Sequence, residues 1–147
     1  MKKLVALSVA GAAVVLSLAA FAGAASRMSP IMAGAKLTAA EEVPAQVVKN
    51  TKASGSFSMD ITGTEATFVL KFSGLTGPAT AAHIHLGGMG KSGPVVVPLC
   101  GPCKSPVKGT VTISAALQKD LKTHTLYVNV HTAKNPNGEI RGQLSEG

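Results

Sequence analysis

The stretch that decides the fold is Gly55-Ser56-Phe57-Ser58-Met59-Asp60-Ile61-Thr62-Gly63-Thr64-Glu65-Ala66-Thr67-Phe68-Val69-Leu70-Lys71-Phe72. Gly55, Phe57, Met59 and Ile61 alternate with Ser56, Ser58 and Asp60. Ala66, Phe68, Leu70 and Phe72 alternate with Glu65, Thr67 and Lys71, Val69 being the one apolar exception. A period of two is that of a strand with one face dry and one wet. Thr62-Gly63-Thr64 between the two runs has the composition of a tight turn, so the segment predicts an antiparallel hairpin.

Working outward, Val107, Val111 and Ile113 alternate with Lys108, Thr110 and Thr112 in the same way. Further strands are expected over 36–43, 81–86, 94–99, 125–132 and 139–144. Gly-, Pro- and Asn-rich connections at 74–78, 87–93 and 133–138 separate them. One short helix is expected where Ser114 can cap a turn carrying Ala115, Ala116, Leu117 and Leu121. About eight short strands at near-regular spacing predict an all-β, antiparallel immunoglobulin-like sandwich or Greek-key barrel with one short helix. The chain reads as one domain over 36–145. A flexible lead-in over 25–35 precedes it, where Ser29-Pro30 and Gly34 break the pattern.

The beginning of the chain concerns compartment rather than fold. Lys2 and Lys3 precede a charge-free run from Leu4 to Phe21, and Ala22-Gly23-Ala24-Ala25 follows. This is the layout of a secretory signal peptide over 1–24, cleaved after Ala22 or Ala24. An uncleaved anchor is the rival, because the run approaches the span of a bilayer. The many Ala and Gly residues and the small-residue exit favour cleavage. The expected mature protein is therefore secreted or periplasmic and has no membrane span. Its roughly 123 residues fit a single domain. The mean hydropathy of +0.30 is inflated by the leader. Of 14 basic residues, Lys2 and Lys3 leave with it, so 12 remain against 7 acidic ones. The surplus is scattered and does not alternate with aromatics, which argues against nucleic acid as a partner.

Two stretches carry the chemistry. In Ala81-Ala82-His83-Ile84-His85, the two histidines share one strand face while Ala82 and Ile84 share the other. In Tyr127-Val128-Asn129-Val130-His131-Thr132, Tyr127, Asn129 and His131 likewise share a face. If these strands are neighbours, His83, His85 and His131 converge. The turn Asn135-Pro136-Asn137-Gly138 is then expected to bring Glu139 and Arg141 back near His131 and Asn129. Three imidazoles in an exported protein suit copper or zinc, with Asn129, Glu139 and Arg141 as groups behind the ligands. The plainer reading is a polar sheet face with an ordinary Glu139–Arg141 ion pair. His124 is expected to be merely exposed, and Met89 in its Gly-rich loop is either a soft donor or loop filler.

Cys100-Gly101-Pro102-Cys103 has the spacing of a thiol redox motif, yet Ser105-Pro106 and Gly109 follow where a helix would have to begin. A local disulfide between Cys100 and Cys103 is the favoured reading for an oxidising compartment. No G-x-S-x-G, H-E-x-x-H, Walker or dinucleotide motif is present.

Several pieces together resemble the chordin-type, or CHRD, domain family of secreted animal proteins and many exported bacterial ones. They are Leu37-Thr38 with Glu41-Glu42-Val43-Pro44, Gly55 with Phe57, Leu75-Thr76-Gly77, Ala81-Ala82-His83-Ile84-His85, and Gly93-Pro94-Val95-Val96. Leu126-Tyr127-Val128-Asn129-Val130-His131-Thr132 and Asn135-Pro136-Asn137-Gly138-Glu139-Ile140-Arg141-Gly142 complete the set. The resemblance runs from about Ala35 to Leu144. It implies an immunoglobulin-type barrel or sandwich and leaves the biochemical role open. The Cys100/Cys103 loop is not among the matching pieces. The expected function is that of a non-enzymatic exported module engaging a protein or cell-envelope partner. The alternative is a copper- or zinc-binding protein with simple redox chemistry.

Overall fold

The computed structural model describes residues 29–44 and 52–147. The expected signal peptide over 1–24 lies outside the described residues, and no helix among those described is long and apolar enough to cross a membrane. The chain forms β1 (Ile31–Thr38), a single 3-10 turn (Ala39–Glu41), β2 (Ser54–Thr62), β3 (Glu65–Ser73), β4 (Ala79–Leu86), β5 (Val95–Cys100) and β6 (Val107–Thr112). Helix α1 (Ala115–Lys122), β7 (Leu126–Thr132), β8 (Ile140–Gln143) and the two-residue β9 (Ser145–Glu146) complete it.

The hairpin read from the sequence is present. β2 and β3 pair in register from Ser54↔Ser73 to Thr62↔Glu65, and Gly63 takes φ +63° in the turn. Phe57, Met59 and Ile61 from one strand and Ala66, Phe68 and Leu70 from the other are buried together. The hairpin is the middle of one antiparallel sheet with the order β5-β4-β7-β8-β1-β2-β3-β6, with β9 added beside β1. The two ends of this order, β5 and β6, lie against each other without a hydrogen-bonded ladder. The sheet is thus curled into a nearly closed barrel rather than split into two separate layers.

One expectation is corrected at the front of the domain. The lead-in over 25–35 is not loose up to its end, because β1 begins at Ile31. The strand expected over 36–43 stops at Thr38, where the 3-10 turn begins. β2 is long enough to pair with the whole of β1, from Ile31↔Ile61 to Thr38↔Ser54. Gly34, read as a breaker, sits inside the ladder at a close approach. A Cβ there would lie 3.0 Å from the Phe57 carbonyl oxygen.

Helix α1 packs beside β7 and β9. Ser114 Oγ accepts from the Leu117 N–H at 3.3 Å, and Leu121 and Leu117 turn toward the core. Ser114→Ala is expected to cost about 1 kcal/mol, the usual value of a lost N-cap, read as a lower midpoint in chemical denaturation.

β7 positions the site. It is buried along its whole length, which a strand with one wet face would not be. Leu126, Val128 and Val130 enter the core, while Tyr127, Asn129 and His131 point to the outer face. That outer face is dry because three loops bond to it. Gly93 meets Tyr127, Glu42 meets Asn129, and Pro136 meets His131.

Candidate metal centre

β4 and β7 are hydrogen-bonded neighbours, with His83 opposite Asn129, His85 opposite Tyr127 and Ala81 opposite His131. His131 therefore sits diagonally across from His83 on the shared outer face. The Nδ1 atom of His83 and the Nε2 atom of His131 are 3.2 Å apart. Ring centroids are 5.0 Å apart for His83 and His131, 5.6 Å for His83 and His85, and 5.9 Å for His85 and His131. One ligating nitrogen from each residue falls within 4.8 Å of the others. Two nitrogens bound at 2.0–2.1 Å to one tetrahedral ion are separated by about 3.3 Å. The His83–His131 pair already has that spacing, and rotation of the imidazoles closes the wider gap.

The rear nitrogens are tied down. His85 Nδ1 lies 3.0 Å from the Gly93 carbonyl and His131 Nδ1 lies 3.0 Å from the Pro136 carbonyl. A carbonyl only accepts, so each Nδ1 carries the hydrogen and each Nε2 keeps its lone pair. This is how metal-binding imidazoles are oriented by their surroundings. The Nε2 atom of His85 is buried without a hydrogen-bond partner. All three rings are held below the ordinary histidine pKa. Burial is the main cause in each, and the charge of a neighbouring histidine or of Arg141 adds to it. They are therefore neutral near pH 7, as ligands must be. His83 is the most exposed of the three and opens the cluster to solvent.

Behind the ligands lies a stack. The Tyr127 ring is nearly parallel to His85, with centroids 4.8 Å apart and 12° between planes, and the Arg141 guanidinium carbon sits 3.5 Å from the Tyr127 centroid. Arg141 Nη2 donates to the Gly88 and Lys91 carbonyls and to Gln143 Oε1. Asn129, between His83 and Arg141 in the sheet, donates through Nδ2 to both carboxylate oxygens of Glu42 at 3.1 Å.

Glu139 does not belong to the cluster, contrary to expectation. Its carboxylate accepts from the Thr76 N–H (2.6 Å), Thr76 Oγ1 (2.7 Å), Thr132 Oγ1 (2.6 Å) and Asn135 Nδ2 (3.1 Å). The chain leaves Gly138 at φ +129° before β8 begins, which turns the Glu139 side chain away from the histidine face. The Glu139–Arg141 ion pair of the plainer reading is absent too, since each group has other partners. The carboxylate near the site is instead Glu42, which the strand pattern did not single out. Cys100 and Cys103 are joined by a disulfide with sulfurs 2.06 Å apart. The loop it closes is stitched to β4, through Ala82 at Cys100 and Ala79 at Cys103.

A comparison with protein-family models matches residues 33–144 to the CHRD domain. The chain belongs to the CHRD-domain family. No curated protein and no solved structure matches it. In this CHRD domain several of the pieces that carry the resemblance, far apart in sequence, meet on one patch of the barrel. Glu42, the two histidines of β4, Tyr127, Asn129 and His131 of β7, and Arg141 of β8 all contribute to it.

Proposed function

We propose that this CHRD domain is an exported binding module that holds a single copper or zinc ion through His83, His85 and His131. The leader-like pattern over 1–24 supports its placement outside the cytoplasm. The observation that carries the metal reading is the His85 Nε2 atom. It is buried and unpartnered, its tautomer is set by Gly93, and it lies among two further imidazole nitrogens. A buried nitrogen lone pair without a donor costs free energy that a bound cation repays. Three neutral nitrogens and the opening beside His83 leave a coordination position for water or an exchanging ligand.

Metal content of the mature protein, purified without a tag, challenged with Cu²⁺ or Zn²⁺ and dialysed, tests this. The wild type is expected to retain about one equivalent, as a single three-histidine site requires. His83→Ala and His131→Ala are expected to fall to background while keeping a cooperative unfolding transition. Retention of nothing by the wild type, or equal retention by folded variants, would sink the proposal.

A further inference from the structure

We infer that the site prefers monovalent copper, Cu⁺, to divalent ions, and that Arg141 sets this preference. The inference rests on the proposed three-histidine metal site and names its ion.

Charge is the first argument. Every donor in the cluster is a neutral imidazole nitrogen, and among the described residues no carboxylate or thiolate joins the three. The two buried carboxylates closest in the fold are committed elsewhere, Glu139 to Thr76, Thr132 and Asn135, and Glu42 to Asn129. An incoming ion therefore meets no compensating negative charge among its ligands. A divalent ion needs that compensation more than a monovalent one does.

The second argument is the cation already present. Arg141 is 2% exposed, and its guanidinium remains charged at any working pH. Its hydrogen bonds go to two carbonyls and an amide oxygen, which solvate the charge, while Glu42 and Glu41 attract it without an ion pair. Only the Tyr127 ring separates it from His85, in a stack with spacings of 3.5 and 4.8 Å. Repulsion from a buried unit charge is twice as large for a divalent ion as for a monovalent one. Through two ring layers at an effective dielectric near 20, the difference amounts to about tenfold in affinity.

The test is a set of competition titrations of the full mature protein with Cu⁺, under reducing anaerobic conditions against a chromophoric Cu⁺ chelator, and with Zn²⁺. Wild type is expected to hold Cu⁺ at least about tenfold more tightly than Zn²⁺. Arg141→Gln is expected to narrow that ratio by about tenfold, chiefly by strengthening Zn²⁺ binding, while Arg141→Lys keeps the charge and the ratio. Zn²⁺ bound as tightly as Cu⁺, or a ratio unmoved in Arg141→Gln, overturns the inference. Should the glutamine variant fail to fold, the Cu²⁺/Cu⁺ potential of the wild type decides. A couple above that of aqueous copper supports the preference, and one below it overturns the preference. Binding of neither ion is a different result, because it removes the metal site itself.

Discussion

Glu139→Ala is expected to destabilise the domain by about 3–4 kcal/mol, because it strands four donors at once, one buried and three half-buried. Glu139 is fully buried, and it ties the loop before β4, through Thr76, to the end of β7 and the turn after it, through Thr132 and Asn135. Burial by itself would raise the pKa of this carboxyl. The bonds from Thr132, Thr76 and Asn135 outweigh it and hold the group below its ordinary value. An acid depressed in the folded state contributes stability above its unfolded pKa and loses it as pH falls through the folded one. The clasp therefore weakens only in acid. Thermal unfolding at pH 7 should show a fall of roughly 15 °C for a domain of this size. A fall of only a degree or two would mean that water replaces the carboxylate, and that the clasp holds little.

Glu42 carries the second large effect, with the opposite sign. It is 3% exposed, and burial is the main cause that moves its pKa from an ordinary 4.5 to about 7, against the opposing bond from Asn129 and charge of Arg141. The folded protein thus binds this proton more tightly than the unfolded chain does. Its contribution to stability is complete below pH 4.5, declines as pH rises toward 7, and is level beyond. The decline amounts to about 3 kcal/mol at 1.36 kcal/mol per unit. The neutral acid also has an O–H to offer, and the buried Oδ1 of the neighbouring Asn129 has no partner. Glu42→Gln cannot titrate and lacks the decline, so relative to wild type it gains stability steadily between pH 4.5 and 7. The quantity to follow is the difference between the two urea-denaturation free energies at each pH. The depressed histidines tilt both curves the other way and cancel in that difference. A difference that does not vary with pH would show that Glu42 is ionised throughout.

Much of the barrel was legible because most of its strands obey one rule. The outer faces of β2 and β3 are wet, so Phe57, Met59, Ile61, Phe68 and Leu70 announce themselves by alternation. The same period placed His83 with His85 and Asn129 with His131. Pairing of β4 with β7 then supplied what no local pattern holds, the diagonal meeting of His83 and His131. Three readings depart from the structure for physical reasons. Extending the β8 alternation one residue before Ile140 puts Glu139 on the histidine face, but Glu139 directly follows Gly138, whose backbone does not follow the strand. Glu42 stands in the sequence only as part of the resemblance, because it follows a 3-10 turn and reaches Asn129 across 87 positions, a contact with no periodic trace. β1 was begun too late because Gly34 reads as a breaker when only its neighbours are seen. It reads as a close approach once the Phe57 carbonyl lies beside it.

The stack of His85, Tyr127 and Arg141 has an optical consequence. Tyr127 is the only tyrosine in the chain, and there is no tryptophan. Emission excited near 280 nm therefore arises from a single ring, pressed between a guanidinium and an imidazole. The intrinsic fluorescence of this protein is in effect a lamp mounted inside one cluster of side chains. A change in its brightness reports on that cluster before it reports on anything else in the barrel.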